Sequence, residues 1–324
     1  MIKAGIIGGS GYTGGELIRI LLNHPAVEID FVYSTTRAGK GLSTAHPDLL
    51  GLTELQFTGD VNLQVDVVFL CLGHGNSSKF LIDHAFSEKT IIIDLSNDFR
   101  LQADANFQGK QFVYGLPELN ASDIEYAQYI ANPGCFATAI QLALLPLAKA
   151  GRLSEHIHVN AVTGSTGAGI SPSDTSHFSW RNNNVSWYKP FTHQHLGEIN
   201  ESLRSLQNPL GELFFLPNRG NFTRGIFATA YTHFNGSLED AKELFNDYYT
   251  DAAFTHVSKD PISLKQVVNT NHCHIHLHKH NDTLLITSAI DNLLKGASGQ
   301  AVQNMNLILG LEENLGLNLK AGVF

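Results

Sequence analysis

The chain has 324 residues, of which 43% are hydrophobic and 16% are charged, and its formal net charge is −9 at pH 7. This length predicts two domains, and no apolar stretch reaches the roughly 18 residues that a membrane-spanning helix needs. The negative charge disfavours nucleic acid as a partner, so an anionic ligand would need a local group of cationic side chains.

The cysteines and the first residues predict a cellular compartment. Cys71, Cys135 and Cys273 are widely spaced and odd in number, which argues against a disulfide framework. The first residues lack the basic region and the long apolar core of a signal peptide. We therefore expect a cytoplasmic protein, in which a free thiolate can persist.

The first elements along the chain follow the order strand, glycine-rich turn and helix. Lys3 to Ile7 is an apolar run of strand type, residues 8–15 are rich in glycine, and Glu16 to Leu22 has apolar residues at helical spacing. Further strand-type runs follow at residues 27–33, 66–72 and 90–95. Their apolar residues are unbroken rather than alternating, which predicts a parallel sheet that is covered on both faces.

The glycine-rich turn has the pattern G-x-G-x-x-G between a strand and a helix. Glycines let backbone amides and the positive helix end approach a pyrophosphate, so this context predicts a Rossmann-type dinucleotide-binding domain. The alternative is an ordinary glycine-rich turn. The residues expected to contact the cofactor here are Gly9, Ser10, Gly11, Tyr12, Thr13 and Gly14.

The tip of the second predicted strand indicates which dinucleotide binds. It carries Ser34, Thr35 and Arg37, where a site for NAD usually has an acidic residue. Asp30 is nearer the expected spacing, but Phe-Val-Tyr follows it, so we place it within the strand. Hydroxyl groups and a guanidinium suit a 2′-phosphate and favour NADP, although these residues could instead only cap a loop.

Cys135 lies directly before a predicted helix, Phe136 to Ala150, which is apolar on nearly all sides. The unpaired amides and the macrodipole at a helix N-terminus stabilise an anion and lower the pKa of a thiol. The same amides can stabilise the oxyanion that forms when a thiolate adds to a carbonyl. We therefore predict that Cys135 is a nucleophile and that Cys71 and Cys273 are inert.

The pattern changes after Arg152, where strands with alternating apolar residues are separated by long polar loops. The strand-type runs lie at residues 156–162, 225–234, 272–280 and 284–290. This is typical of an antiparallel or mixed sheet packed on helices. We predict an α/β protein with a Rossmann-type NADP-binding domain at 1–133 and 297–324, to which a helix near 295–310 returns. An α+β catalytic and oligomerisation domain is predicted at 134–296.

The segment NPGCFATAIQLALLP around Cys135 resembles the active-site signature of the N-acetyl-γ-glutamyl-phosphate reductases, a family of the semialdehyde dehydrogenase superfamily. Further segments resemble this family in the same order along nearly the whole chain: GGSGYTGGEL, DLSNDFRL, YGLPEL, GSTGAG, HQHLGEI and DNLLKGASGQAVQNMN. The resemblance implies NADPH-dependent reductive dephosphorylation of an N-acyl-glutamyl 5-phosphate in arginine biosynthesis. A thioester on Cys135, release of inorganic phosphate and formation of the semialdehyde are the implied steps.

The same resemblance implies roles for the residues of HQHLGEI. His193 is expected to be the general acid and base, with Glu198 as the group that orients it. His195 is the alternative, because residues two apart on an extended segment face opposite ways. We therefore expect one of the two histidines to face the sulfur of Cys135.

The two anionic groups of such a substrate need bidentate cations. Arg100 follows a predicted parallel strand at its carboxyl end, where such sheets bind ligands, and Ser96 and Asn132 are its expected polar partners. Arg224 is a second candidate, and either arginine could instead be an exposed surface charge. Further cofactor contacts are expected along the cofactor path and in the glycine-rich loop near the nicotinamide, at Gly73, Ser165, Gly167, Ala168 and Asn292.

A stripe of histidines in HCHIHLHKH invites a zinc site: His272, His274, His276, His278 and His280. Alternate residues of a strand are about 7 Å apart along the backbone, which is awkward for one tetrahedral ion. We favour a solvated or interface face, and we assign no metal to the mechanism.

Other functions stay open from the sequence. Within the superfamily, the chain could be an aspartate-semialdehyde dehydrogenase or a reductase of another acyl phosphate, and outside it a non-catalytic NADP sensor. HQHLGEI and YGLPEL argue against the first, and Cys135 with a downstream His/Glu cluster argues against the sensor. The acetyl or succinyl nature of the N-acyl group, and the size of the expected homo-oligomer, dimer or tetramer, are left open.

Overall fold

The computed structural model describes residues 1–323, which divide into two compact units. The first unit comprises Met1–Gly134 and Ala297–Asn318, and the second comprises Cys135–Gly296 and the residues from Leu319 onward. Across the described residues, no helix is both long enough and apolar enough to cross a membrane.

Eight α-helices and fifteen strands are assigned along the described chain. The helices are α1 (Tyr12–Leu21), α2 (Ser77–Asp83), α3 (Pro117–Glu125), α4 (Cys135–Lys149), α5 (Phe178–Arg181), α6 (His195–Leu206), α7 (Leu238–Tyr248) and α8 (Gly299–Ile308). The first eight strands are β1 (Ile2–Ile7), β2 (Val27–Tyr33), β3 (Phe57–Thr58), β4 (Val67–Leu70), β5 (Ile91–Asp94), β6 (Asn106–Phe107), β7 (Lys110–Tyr114) and β8 (Tyr129–Ala131). The others are β9 (Ile157–Thr163), β10 (Ser186–Trp187), β11 (Leu213–Arg219), β12 (Ile226–His233), β13 (Thr255–Ser258), β14 (Cys273–His280) and β15 (Thr283–Ile290).

The first unit is built on an eight-stranded sheet of order β3-β2-β1-β4-β5-β8-β7-β6. All its neighbouring strands are parallel except β6 and β7. Every residue of β4 and of β5 is buried, as expected for strands that are covered on both faces. The prediction of a parallel Rossmann-type sheet is confirmed, and α8 packs on α1 and α3 of this unit.

The second unit contains a seven-stranded sheet of order β10-β11-β9-β12-β15-β14-β13. The pairs β9–β11 and β13–β14 are parallel and the others antiparallel, so the predicted mixed sheet is confirmed. The strands β10, β11 and β13 were not predicted. Two of them are short, and β11 contains Pro217, a residue that ordinarily argues against a strand interior.

Helix α4 carries Cys135 at its first position and is buried from Phe136 to Ala148. Pro146 lies inside this helix and has no amide hydrogen to donate to the carbonyl of Leu142. The hydroxyl of Tyr249 donates to that carbonyl instead, at 2.5 Å. This bond satisfies a buried acceptor and lets the helix continue through a proline.

The histidine stripe lies on one side of β14, where its side chains alternate with the buried Cys273, Ile275 and Leu277. Two of its imidazoles, His272 and His274, pack near His256 of β13, and Nε2 of His256 lies 2.9 Å from Nδ1 of His272. Within the described part of the chain, no group of three His, Cys, Asp or Glu side chains is arranged to hold a metal.

His272 makes the stability of the second unit sensitive to acid. Burial, followed by the charges of His256, His274 and Lys295, lowers the pKa of His272 to about 4. An unfolded histidine has a pKa near 6.5, so the unfolded state binds more protons between about pH 6.5 and pH 4. The free energy of unfolding therefore falls as the pH falls through this window.

We expect the difference in Tm between pH 7 and pH 4.5, measured by calorimetry, to be smaller in a His272→Gln variant than in the wild type. A His280→Gln variant is the matched control, because His280 is exposed at the end of the same strand. Equal differences in all three proteins would contradict the prediction.

Candidate active site

The glycine-rich turn in the first unit is shaped by close packing. A Cβ at Gly9 would lie 2.2 Å from Cγ1 of Val32, and a Cβ at Gly14 would lie 2.6 Å from Cα of Gly9. Gly8 has a φ of 78°, in the left-handed region that favours glycine. The turn between β1 and α1 therefore requires glycine at all three positions, for steric reasons that are independent of any ligand.

Gly11 differs, because it leaves open space at the start of α1. A Cβ at Gly11 would have its nearest neighbour, the carbonyl oxygen of Gly8, at 3.8 Å. Gly11 is the N-cap of α1 and provides no side-chain hydrogen bond to the first helical amides. Exposed amides at the positive end of a helix suit a pyrophosphate, so this turn fits a dinucleotide.

The other predicted residues of this turn lie around the same helix end. Tyr12 is 40% exposed at the first position of α1. The carbonyl of Thr13 accepts a hydrogen bond from Ser298 Oγ at 2.8 Å, which ties α1 to the segment leading into α8. The hydroxyl of Ser34 donates to that of Ser10 at 3.4 Å and links the turn to the tip of β2.

The tip of β2 carries a cation and no acidic side chain. Thr35 is exposed, and Arg37 is partly exposed and donates from Nη1 to the carbonyl of Thr44 at 3.0 Å. Asp30 lies within β2, where it accepts from Asn62 at 2.8 Å and lies 3.5 Å from Nζ of Lys3. The prediction that Asp30 does not lie at the strand tip is confirmed. Gly73 lies exposed in the turn after β4.

A buried carboxyl group organises the carboxyl end of β5. Asp94 is fully buried and accepts hydrogen bonds from the hydroxyls of Ser77 and Ser96, at 2.6 and 2.7 Å. Burial raises the pKa of Asp94 to about 6, although these hydrogen bonds and the charge of Arg100 oppose the rise. Arg100 donates from Nε to the carbonyl of Asn132 at 2.9 Å and from Nη2 to that of Leu95 at 3.0 Å.

Ser96 and Asn132, the expected partners of Arg100 in substrate binding, use their side chains within the protein. Both residues are buried, and the Ser96 hydroxyl also accepts from the amide of Asp98. The Asn132 amide donates to the carbonyl of Ala297 and accepts from Asn304, each at 3.1 Å. These bonds hold the Ser96 and Asn132 side chains in place, while the backbone carbonyl of Asn132 positions Arg100; their role as substrate partners stays a prediction.

Cys135 opens the second unit at the N-terminus of α4, and Gly296 packs against it. A Cβ at Gly296 would lie 2.8 Å from Cβ of Cys135, so only glycine fits there. Gly296 belongs to a π-helical turn, Leu294–Ser298, and such turns are frequent at functional sites. Gly296 lies within the segment DNLLKGASGQAVQNMN but is not among the site residues predicted from the sequence.

The two histidines lie together, which differs from the expectation of an extended segment. Helix α6 begins at His195, so the backbone turns there and both imidazoles lie on the same side. Their ring centroids are 4.6 Å apart, and both pack edge-on against Phe136, at 5.4 and 6.3 Å. The prediction that the two side chains face opposite ways is wrong, and both rings contact the residue next to Cys135.

The protonation of His193 follows from its surroundings. Burial, followed by the charge of Lys189, lowers the pKa of His193 to about 4, so its imidazole is neutral at pH 7. Nδ1 of His193 accepts a hydrogen bond from the backbone amide of His195 at 3.2 Å. The proton of the neutral ring therefore resides on Nε2, which is a hydrogen-bond donor.

Glu198 lies beside His195 and not beside His193, which it was expected to orient. Its Oε1 is 3.9 Å from Nε2 of His195, and both side chains are buried. The geometry therefore pairs Glu198 with the second histidine of the motif.

Two residues that the sequence analysis missed complete this cluster. The ring of Tyr188 lies 5.7 Å from that of His193, and the guanidinium of Arg219 lies over the Tyr188 ring at 4.8 Å. Burial, followed by the negative charge of Cys135, raises the pKa of Tyr188 to about 12, and Arg219 opposes this rise. Tyr188 therefore keeps its phenolic proton. Its place five residues before His193 was the signal available in the sequence.

Arg224 and Asn292 support the backbone of the second unit. The guanidinium of Arg224 binds the fully buried Asp291 through Nε and Nη2, at 3.0 and 3.1 Å. Asn292 accepts from the amide of Gly225 at 2.6 Å and donates to Thr166 at 3.0 Å. This amide holds the turn Ser165–Ala168, in which Gly167 is exposed. The pairing with Asp291 fixes the position of the Arg224 guanidinium, and the role of Arg224 as a substrate ligand stays a prediction.

Comparisons with known proteins agree with this architecture. Residues 3–127 match the family model described as semialdehyde dehydrogenase, NAD binding domain, and residues 135–292 match the semialdehyde dehydrogenase dimerisation domain. Curated proteins named N-acetyl-gamma-glutamyl-phosphate reductase from Christiangramia forsetii and Flavobacterium johnsoniae are 63% and 62% identical to this chain, with complete coverage of both sequences in each case.

Solved structures with the same fold are more distant in sequence. Aspartate semialdehyde dehydrogenase II from Vibrio cholerae, complexed with ASA, has a TM-score of 0.73 over 96% of this chain and 98% of its own, at 18% identity. Aspartate semialdehyde dehydrogenase with NADP from Candida albicans has a TM-score of 0.69 over 96% and 99%, at 15% identity. At such identities the likeness shows the fold alone.

Proposed function

Because the chain belongs to the N-acetyl-γ-glutamyl-phosphate reductases of the semialdehyde dehydrogenase family, we propose that its second unit carries out reductive dephosphorylation of an N-acyl-glutamyl 5-phosphate through Cys135. The product is the N-acyl-glutamate 5-semialdehyde, an intermediate of arginine biosynthesis. The observation that carries the proposal is the position of Cys135, which begins α4 with two imidazoles packed against the next residue, Phe136.

The cofactor is NADP, and the first unit has the features to hold it. We assign the pyrophosphate to the amides at the N-terminus of α1, where Gly11 leaves space, and the 2′-phosphate to Arg37 with Ser34 and Thr35. The bound cofactor supplies a hydride to the acyl carbon. This assignment makes residues 1–133 and 297–324 the cofactor domain and residues 134–296 the catalytic domain.

Cys135 acts as the nucleophile in this scheme. Its thiolate adds to the acyl carbon, the carbon–oxygen bond to the phosphate breaks, and inorganic phosphate leaves with that electron pair. The acyl group is then held as a thioester on the sulfur. After reduction, the carbon–sulfur bond breaks, the semialdehyde departs and the thiolate is restored. The dipole of α4 favours the thiolate at both ends of this sequence.

The two histidines have different proposed roles: one stabilises the carbonyl oxygen, and the other transfers the proton. Neutral His193 donates from Nε2 to the carbonyl oxygen as negative charge develops on it. Nε2 of His195 lies 3.9 Å from Oε1 of Glu198, so we assign His195 as the proton carrier, with Glu198 as the group that orients it. Arg100 is the proposed cation for the substrate phosphate, and Ser165–Ala168 is the proposed turn at the nicotinamide.

The second unit is also the proposed oligomerisation unit, because it matches a dimerisation-domain model. A homodimer or a tetramer built from this unit fits that match. A cytoplasmic location fits the biosynthetic role of the named relatives. Aspartate semialdehyde dehydrogenases share the fold at 14% to 18% identity, whereas full-length relatives with the reductase name are 55% to 63% identical to this chain, which favours the reductase.

The direct test is phosphate-dependent reduction of NADP⁺ by N-acetyl- and N-succinyl-glutamate 5-semialdehyde, followed by absorbance. We expect turnover that requires phosphate, with a preference for one semialdehyde that identifies the N-acyl group. Measurable NADPH binding without turnover of either compound would instead favour another acyl phosphate or a non-catalytic sensor.

The same assay over a range of pH separates the two histidines. We expect a His195→Gln variant to lose an inflection in the pH profile of kcat, because it removes the proton carrier. A His193→Gln variant keeps a side-chain donor and should keep the shape of the profile. The reverse pattern would exchange the two roles.

A further inference from the structure

Three cationic side chains lie near Tyr188 in the second unit: Arg181, Lys189 and Arg219, here called the cationic cluster. Burial and the nearby charge of Arg219 lower the pKa of Arg181. The charge of Lys189 likewise contributes to the lowered pKa of His193. Within residues 1–323, no carboxylate forms an ion pair with any of the three. Uncompensated positive charge is unexpected in a chain of net charge −9 and indicates a place for an anion.

The two arginines of the cluster differ in how their hydrogen-bond donors are used. Arg181 is buried and donates to the carbonyls of Thr175, Asn184 and Arg219 and to the hydroxyl of Ser186. The hydrogen-bond donors of the Arg181 guanidinium are therefore used within the protein, mostly on backbone carbonyls. One of these bonds, at 2.6 Å, fixes the carbonyl of Arg219 itself. Arg181 is therefore a positioning residue for Arg219.

The guanidinium of Arg219 is held in place but has few hydrogen-bond acceptors. It lies over the Tyr188 ring, makes a side-chain hydrogen bond with Tyr188, and donates from Nη1 to the hydroxyl of Thr175 at 3.3 Å. Its Nε is buried and has no acceptor within the described chain. A guanidinium carries five N–H donors, and a buried donor without an acceptor is unfavourable. Stacking on Tyr188 orients the group in advance for a bidentate ligand.

Strand pairing brings Arg219 to Tyr188. Ser186 of β10 pairs with Arg219 at the end of β11, and the amide of Tyr188 donates to the carbonyl of Pro217 at 3.1 Å. The negative charge of Cys135 contributes to the raised pKa of Tyr188, and the Tyr188 ring packs 5.7 Å from the ring of His193. Tyr188 therefore links Arg219 to the two groups proposed to react, Cys135 and His193.

We propose that Arg219 binds a carboxylate of the substrate and so determines its specificity and orientation. This inference rests on the proposed function, because it takes the acyl group to be on Cys135. The carboxylate is either the α-carboxylate of the glutamyl group or the terminal carboxylate of a dicarboxylic N-acyl chain. A planar, bidentate acceptor of this kind matches the fork of Arg219 better than it matches a lysine.

The test compares Arg219→Gln and Arg219→Lys with a matched Arg204→Gln control, in which an exposed arginine of the last turn of α6 is replaced. KM and kcat are measured for the N-acetyl and N-succinyl semialdehydes, and KM for phosphate separately. We expect Arg219→Gln to raise the KM of the semialdehyde by roughly ten- to a hundredfold, the effect of losing a charged hydrogen bond. The KM of the Arg219→Lys variant should lie between the values for Arg219→Gln and the wild type.

The pattern of these effects identifies the carboxylate. An equal rise in KM for both semialdehydes assigns Arg219 to the α-carboxylate, and a rise for the succinyl compound alone assigns it to the acyl terminus. Unchanged KM values for both semialdehydes, or a rise confined to phosphate, would overturn the proposal. A similar change in Arg204→Gln would also overturn it, because the effect would then not be local.

A second measurement does not depend on turnover. Millimolar N-acetylglutamate or N-succinylglutamate should slow alkylation of Cys135 by iodoacetamide in the wild type and not in Arg219→Gln. If the wild type turns over neither semialdehyde, the proposed function fails, yet loss of this protection in the variant would still support a carboxylate site. Equal protection in both proteins would refute the site even if the enzyme is active.

Discussion

Replacing Cys135 by alanine is expected to lower kcat by about three orders of magnitude or more, because no other group can form the thioester. The variant should retain its fold, since Cys135 is partly exposed at a helix end and loses only one small atom. Phosphate-dependent reduction of NADP⁺ measures the activity, and fluorescence titration with NADPH shows that the cofactor still binds.

A Cys273→Ser variant is the matched control for this loss. Cys273 is buried in β14, with its sulfur 3.4 Å from the hydroxyl of Ser288, so serine preserves its size and its polar contact. Burial raises the pKa of Cys71 to about 12, which keeps that thiol protonated at pH 7. Iodoacetamide should therefore label Cys135 first, as read by mass spectrometry. Retained activity in Cys135→Ala, or faster labelling of Cys71, would refute the thiol mechanism.

The second large effect is expected in the glycine-rich turn, where two alanine substitutions should separate folding from cofactor binding. In Gly14→Ala the new Cβ would lie 2.6 Å from Cα of Gly9, and backbone atoms cannot rotate away. We expect a destabilisation of about 1–3 kcal/mol, or roughly 2–10 °C in Tm, measured without cofactor.

Gly11→Ala is expected to weaken cofactor binding without changing the stability of the fold. Its new Cβ would have its nearest neighbour at 3.8 Å, and the backbone of Gly11, with φ of −85°, is accessible to alanine. The Tm should not change, but the methyl group would project into the space assigned to the pyrophosphate and weaken NADPH binding by about tenfold or more. An unchanged Tm in Gly14→Ala together with normal NADPH affinity in Gly11→Ala would disprove this account of the turn.

Local sequence patterns were sufficient for β1, β2, β4 and β5, which are neighbours in the sheet of the first unit. Unbroken apolar runs indicated β4 and β5 as buried parallel strands, because both faces of such strands must be covered. The glycines marked the turn before α1, although the distances at Gly9 and Gly14 show that packing within the protein requires glycine at these two positions. The apolar run after Cys135 marked α4, since burial on all sides removes any polar face.

The second unit was less predictable, because its elements depend on partners distant in the chain. Strand β11 contains Pro217 and was missed, yet it pairs in parallel with β9 over its whole length. Pro146 of α4 is tolerated because Tyr249, more than one hundred residues away, bonds to the carbonyl of Leu142. Neither the strand nor the compensating bond leaves a local pattern in the sequence.

The sequence by itself determined the family and the cofactor, and it predicted the nucleophile and the histidine motif, because these depend on residue types at fixed local spacing. Only the tertiary structure decided how the motif is used. The start of α6 at His195 brings both imidazoles beside Phe136 and pairs Glu198 with His195. The pairing of β10 with β11 brings Arg219 to Tyr188. Contacts between distant segments are set by backbone direction and strand register, which local spacing does not encode.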